Sequence, residues 1–293
     1  MALQLIPDPS LAERTTLRLG GHAEVEAVLR EASDLDELGT FLTRHTLRPF
    51  VIGRGSNLLA RDGRCDIALI RAAGQPGPTR VERSDEGLVV RCGAALALPG
   101  LLGWAQRAGL TGLEGLTGIP GTVGGAVAMN AGSYGVEFGQ RVSRVRLWSP
   151  SGGLTWVGAD RCSFGYRRFA VPDLPAGRLI WEVEIVLETS TPRAVRQAMR
   201  EVYGKKRTTQ PVTARSAGCV FKNPEGDSAG RLLDRAGMKG MRRGQMAFSD
   251  IHSNFLINLG GGTSAQALDL IELGREVVKT RLGVTLETEV IIL

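Results

Sequence analysis

"GLTGIPGTVGGAVAMNAGSYG", residues 115–135, contains no Lys, Arg, Asp or Glu. Gly118, Gly121, Gly124, Gly125, Gly132 and Gly135 stand there among the small side chains of Ala126, Ala128 and Ala131. An ordinary turn needs one or two glycines for positive φ, so a run this dense points to close approach by something larger. Either a sizeable ligand lies on bare peptide groups, or the loop packs tightly against another backbone. Both readings stay open on composition.

The chain has 293 residues, enough for two or three domains, and its 43% hydrophobic and 23% charged content is that of a globular protein. No apolar run is long enough to span a bilayer, and the opening "MALQLIPDPSLAERTTLRLGG" lacks the pattern of a signal peptide, so a cytoplasmic protein is expected with no membrane partner. Cys65, Cys92, Cys162 and Cys219 show no two-residue spacing, which predicts free thiols, and with His22, His45 and His252 equally dispersed no metal is expected. The net charge of +6 is compatible with a phosphate-bearing ligand. With only 5% aromatic residues, stacking platforms are too sparse for a nucleic-acid partner. The basic run from Arg193 to Arg207, with Lys205 and Lys206, reads first as a solvated helix face, with an anion site as the alternative.

Periodicity places a helix after Ser33, with Ser33 and Asp36 in a capping-box pattern, and another opened by Pro99. "RPFVIG", "CDIALIR" and "GLVVRCGA" read as strands, "RVSRVRLWSPSGGLTWVG" as a hairpin and "RLIWEVEIVLE" as the clearest strand of the chain. Beyond Thr191 the pattern turns helical, ending in a long amphipathic helix closed by Gly283 and the terminal strand "VTLETEVIIL". The expected organisation is residues 1–190 as two α+β subdomains split near 72, residues 191–283 as a second domain, and residues 284–293 as a strand pairing back toward the first.

"VIGRGSNLL" sets Gly53, Gly55, Ser56 and Asn57 directly after an apolar strand. A dinucleotide fingerprint would need glycine where Leu58 stands, and "GKKRTT" lacks the order of a P-loop. A strand-to-loop turn remains, whose amides could hold a diphosphate as a nest. Together, "GRGSNLL" and the glycine run resemble the FAD-binding domain of vanillyl-alcohol-oxidase-type flavoproteins. Through "FGYRR", "GCVFKNP", "HSNFLINLG" and "LETEVIIL" the chain resembles, over nearly its whole length, the UDP-N-acetylenolpyruvoylglucosamine reductase family.

That resemblance implies an α+β fold: a PCMH-like FAD-binding region plus a smaller α+β substrate-binding domain. It implies non-covalent FAD on Gly53, Arg54, Gly55, Ser56, Asn57 and Leu58 and on Ile119, Pro120, Gly121, Thr122, Val123, Gly124, Gly125 and Ala126. It also implies NADPH as reductant, UDP-N-acetylglucosamine enolpyruvate as substrate and a role in peptidoglycan precursor synthesis, and a monomer is expected. Arg167 corresponds to the arginine that holds and polarises the substrate carboxylate, and Glu289 to the glutamate that stabilises the enolate. Cys219 stands where many members carry the proton-donating serine; a thiol can do the same work, since an unperturbed cysteine titrates at roughly 8.5 and is mostly protonated near neutrality. Tyr166, Lys222, Asn223 and His252 are implied substrate contacts, with Gln210 in the region where other members have a lysine. The short separation from Arg167 to Trp181 resembles the subclass without an extended tyrosine loop. The alternative is another FAD-dependent oxidoreductase of the superfamily, which would pass electrons to oxygen.

Overall fold

A computed structural model describes residues 3–75, 77–172 and 178–293. Part of the segment between Arg167 and Trp181, where the tyrosine loop is expected to be short, lies outside the described residues. The chain forms two compact units that do not follow sequence order: one contains residues 1–7, 25–53 and 66–204, the other residues 8–24, 54–65 and 205–293. The division thus falls after Gly204 rather than at 190, because helix Pro192–Thr209 stays with the first unit for most of its length.

Strands Gln4–Pro7, His22–Leu29, Arg64–Ala72 and Arg48–Val51, which belong to the first unit for all or most of their length, form a sheet in that order, with Arg48–Val51 parallel to Arg64–Ala72. Helix Asp34–Arg44 buries Leu35 and Leu38 in a core with Ala27, Leu29, Ile70, Trp148 and Trp181. Ser33 makes no side-chain cap, contrary to the capping-box expectation. Asp34 does related work, its carboxylate accepting the amides of Arg30 and Glu31 at 2.6 and 3.1 Å and so tightening the turn into the helix.

A second, antiparallel sheet runs Gly153–Gly158, Val142–Ser149, Leu179–Thr189, Gly87–Gly93, Thr79–Ser84, with Leu110–Thr111 against the end of Leu179–Thr189. Val183, Ile185 and Leu187 alternate inward onto helices Leu98–Ala108 and Val123–Ala128, as the period of two requires. Between them Glu184 is nearly buried: desolvation would raise its pKa, but hydrogen bonds from Arg144 and Arg91 outweigh that and hold the carboxyl below its usual range.

The second unit pairs strands Ser216–Cys219, Phe255–Asn258, Met246–Phe248 and Arg242–Arg243 and packs helices Ala229–Arg235 and Ser264–Leu282 around Phe221 and Phe248. The long helix opens with a capping box between Thr263 and Gln266 and ends at Gly283 with φ 72°. The terminal segment forms only the short strand Ile291–Ile292, parallel to Leu58–Leu59. That pairing carries residues 54–65 into the second unit, so the two glycine loops belong largely to different units. Lys206, read as part of a solvated face, is 2% exposed.

Candidate active site

Strand Arg48–Val51 ends just before Gly53, and a Cβ placed on Gly53 would stand 2.7 Å from Thr122 Oγ1. The start of the first glycine loop and the centre of the second, distant in sequence, therefore meet. Thr122 is the N-cap of helix Val123–Ala128, its Oγ1 accepting from the Gly125 amide at 3.2 Å. Val123 and Gly124 donate their amides to the carbonyls of Leu96 and Ala94, both at 2.9 Å. A Cβ on Gly124 would stand 2.9 Å from that of Ala94, so Gly124 serves backbone packing. Gly125 is exposed on the first turn, and a Cβ there would meet only Thr122 Oγ1, at 3.5 Å. Pro120 is also exposed, while Val123 and Ala126 are buried. The packing reading thus holds for Gly124, while Gly125 keeps an open backbone surface.

Past Ala128 the run does other work. Gly132–Ser133 and Val136–Glu137 form a hairpin whose two turn residues, Tyr134 and Gly135, have φ of 50° and 78°, the signs of a type I′ turn. Strands Ser163–Gly165 and Arg168–Ala170 form a second hairpin, and its turn is Tyr166–Arg167. Arg167 takes φ 56°, a conformation an L side chain adopts at a cost of about 1–2 kcal/mol. Its guanidinium lies over the Tyr166 ring, 4.9 Å from the centroid, and a Cβ on Gly132 would stand 3.4 Å from one of its terminal nitrogens.

In the second unit Cys219 and Glu289 are brought together by the backbone. Cys219 ends strand Ser216–Cys219 opposite Phe255, after Gly218 at φ 76°. The next residue, Val220, accepts the amide of Glu289 through its carbonyl at 2.7 Å. Phe221 bridges Thr288, and the Lys222 amide donates to the Glu287 carbonyl at 2.8 Å. Cys219 and Glu289 are both half-buried; Glu287 is exposed and ion-pairs with Lys222 at 3.2 Å. Period-two alternation puts both glutamates on one face, and this pairing gives them different surroundings.

Two asparagines hold that arrangement. Buried Asn254 accepts the Phe221 amide at 2.9 Å and donates to the Phe221 carbonyl at 2.8 Å, doing with one side chain what a neighbouring strand would do. Asn57 of the first glycine loop donates to the Glu289 carbonyl at 3.2 Å, and its own carbonyl accepts the Ile291 amide at 3.0 Å. Leu58, expected at the cofactor, has its side chain buried and its backbone paired with Ile291. Gly55, at φ 60°, leaves no room for a Cβ beside the Arg14 carbonyl. Arg54 is exposed and Ser56 half-buried.

His252 packs against Gly230 and edge-on to Phe255, and burial lowers its pKa, leaving the ring neutral near pH 7. Its Nδ1 accepts the Asn254 amide at 3.2 Å, which assigns the proton to Nε2. Asn223 accepts the Ala229 amide at 3.0 Å and so closes the loop of residues 223–229. Gln210 follows helix Pro192–Thr209, its amide donating to the Lys206 carbonyl at 2.8 Å. Of the other thiols, Cys92 is pushed up to about 12 by burial and Cys162 is raised for the same reason.

Comparison with known proteins agrees over the full length. Residues 210–293 match the family profile of the UDP-N-acetylenolpyruvoylglucosamine reductase C-terminal domain, and residues 23–158 match an FAD binding domain. The chain is 49% identical over 292 residues to the UDP-N-acetylenolpyruvoylglucosamine reductase of Nitratidesulfovibrio vulgaris, covering 99% of each chain. It is 47% identical to that of Oleidesulfovibrio alaskensis, covering 98% of this chain and 97% of the relative. The crystal structure of the Thermus caldophilus reductase superposes with a TM-score of 0.82 at 34% identity, covering 100% of this chain and 99% of that one. The chain belongs to the UDP-N-acetylenolpyruvoylglucosamine reductase family.

The α+β fold with an FAD-binding region is that of this reductase family. The residues present fit the flavin cofactor: Gly125 offers bare backbone on a helical first turn, and at the start of the same glycine-rich run Thr117 Oγ1 is buried with no partner among the described residues. Among those residues no group of three or more His, Cys, Asp or Glu could hold a metal ion, and no helix is long and apolar enough to cross a membrane. Sequence reading missed Asn254 and the Asn57 contact to Glu289, because both join residues far apart in the chain.

Proposed function

We propose that this chain reduces UDP-N-acetylglucosamine enolpyruvate to UDP-N-acetylmuramate, a peptidoglycan precursor, with NADPH as reductant, acting as a monomer in the cytoplasm. The observation that carries the reading is the backbone link at Val220, which holds the thiol-bearing end of strand Ser216–Cys219 beside the segment that bears the Glu289 carboxyl. When bound, FAD would supply the hydride chemistry that links NADPH to the vinyl methylene carbon of the substrate. Ile119, Pro120, Gly121, Thr122 and Gly125 of one loop and Gly53 to Asn57 of the other would hold it. Arg167 holds the substrate carboxylate, and its cation draws charge toward that end. Glu289 acts with Arg167 to stabilise the developing enolate. Cys219 Sγ–H gives its proton to the carbon beside the carboxylate, completing reduction of the double bond, and the thiolate recovers a proton from solvent. Tyr166, Lys222, Asn223, His252 and Gln210 serve the nucleotide-sugar.

The test separates the half-reactions under anaerobic conditions. Cys219→Ala is expected to keep flavin reduction by NADPH near its native rate and to slow reoxidation by the enolpyruvyl substrate at least a hundredfold, whereas Cys219→Ser retains substantial activity. Unchanged rates in both half-reactions of Cys219→Ala would remove Cys219 from the proton-transfer role. Reduced flavin that persists with substrate and is reoxidised only by oxygen would remove the reductase reading itself.

A further inference from the structure

Asn130 ends the helix that follows the second glycine loop, and it is 1% exposed. Its amide donates to the Val127 carbonyl at 3.0 Å, and the Ala131 amide donates to the Ala126 carbonyl at 2.8 Å. With φ 38° at Asn130, these bonds make a Schellman motif, whose left-handed position usually goes to glycine. The side chain that glycine would lack is fully employed. Its Nδ2 donates to Glu137 Oε2 at 2.9 Å and to the Gly165 carbonyl at 3.1 Å, and its Oδ1 accepts the Gly139 amide at 2.9 Å.

The Gly165 carbonyl belongs to the peptide that enters the Tyr166–Arg167 turn. Arg167 sits uphill at φ 56°, so a turn free to relax would move the guanidinium away from its place beside Gly132. Glu137, the other Asn130 partner, also borders Gly132, its Cγ being 3.2 Å from a Cβ placed there. We propose that Asn130 is a positioning residue: it fixes the Arg167 hairpin to the end of helix Val123–Ala128, so that the segment capped by Thr122 and the carboxylate-binding arginine keep one geometry. This inference rests on the Arg167 role proposed above.

A double-mutant cycle on the FAD-loaded protein tests it. Asn130→Gly keeps the left-handed C-cap and removes only the amide side chain; Asn130→Asp tolerates the same backbone and keeps the acceptor for Gly139 but loses both donors. Each is made alone and with Arg167→Ala, and anaerobic flavin reoxidation by the enolpyruvyl substrate is followed in single turnovers. Melting temperature with and without FAD is measured alongside. The expected result is a slowing of at least tenfold by either Asn130 variant in the native background and less than threefold in the Arg167→Ala background, with the FAD-induced rise in melting temperature within about 2 °C of native. Equal slowing in both backgrounds would show that Asn130 acts independently of Arg167, and no slowing would show that the hairpin holds itself; either overturns the inference. If Arg167→Ala alone leaves reoxidation unchanged, the fault lies in the Arg167 assignment and the inference falls with it.

Discussion

Asn254→Ala isolates the contribution of one side chain to the segment that carries Cys219. In the native protein the Asn254 amide group satisfies both backbone groups of Phe221, at 2.9 and 2.8 Å, where Phe221 is fully buried and Asn254 is 1% exposed. Truncation removes the partner of a buried N–H and of a buried C=O. Each orphaned group costs about 1–3 kcal/mol, so the pair costs about 2–6 kcal/mol, the low end applying if water enters the space left by the amide. The Val220 amide still reaches the Asn254 main-chain carbonyl at 2.8 Å, so the strand keeps its register while the Phe221 peptide loses its anchor. Urea unfolding gives the global loss, expected near 3 kcal/mol, which is about a hundredfold in the folding equilibrium. Hydrogen exchange at the Phe221 amide gives the local one, with protection falling by a similar factor. A loss below about 1 kcal/mol together with unchanged protection at Phe221 would refute the reasoning and assign the segment's order to its strand pairing alone.

Gly53→Ala would place a methyl 2.7 Å from Thr122 Oγ1 and push that hydroxyl off the Gly125 amide. The expected result is at least tenfold weaker FAD retention in apoprotein titrations, with secondary structure by circular dichroism unchanged; native retention would show that Thr122 moves without consequence. Lys206 has its ammonium pKa lowered by burial from 10.5 to about 8. The folded state therefore carries a desolvation cost that is fully present below pH 8 and is relieved as pH rises toward 10.5, because over that window the unfolded chain binds the proton more tightly. Lys206→Met is expected to stabilise the protein at pH 7 by up to about 3 kcal/mol, an advantage that shrinks toward pH 10.5; an advantage independent of pH would place the cost elsewhere.

What the sequence made legible was whatever depends on neighbours along the chain. The alternation of Val183, Ile185 and Leu187 announces its strand, and Thr263 with Gln266 and Gly283 bracket the long helix. Cys219, Arg167 and Glu289 are ordinary residues by pattern and stand out only through the motifs around them. The division of the chain was not legible, because residues 54–65 join the second unit through pairing with a strand more than 200 positions away. Asn57 and Asn254 were hidden for the same reason: their partners, Glu289 and Phe221, lie 232 and 33 positions off, and nothing in local periodicity marks an asparagine that bonds a distant backbone. The Ser33 cap failed because Asp34, one position on, reaches the preceding amides instead.

The backbone also indicates where side chains matter more than conformational ease. Among the described residues five non-glycines have positive φ, and three of them, Asn130, Tyr134 and Arg167, lie at the end of the helix after the second glycine loop or in the two hairpin turns that follow. Glycine would occupy each position without steric cost, and this chain uses glycine freely nearby, at Gly132 and Gly135. Tyr134 and Arg167 each give up about 1–2 kcal/mol in conformational energy relative to glycine, while asparagine adopts the left-handed region at less cost. For Asn130 the return is visible as three hydrogen bonds, and for Arg167 as a cation on Tyr166 beside Gly132. Tyr134 occupies the first turn position of a type I′ hairpin, where asparagine or glycine is the cheaper choice, and the residue is 45% exposed. A fold that needed only the turn would carry none of these three. Asp8 and Arg18 share the left-handed conformation elsewhere in the chain, so positive φ alone does not single out this stretch; what joins the second half of the glycine-rich run to Arg167 is the set of Asn130 hydrogen bonds and the approach of the Arg167 guanidinium to Gly132.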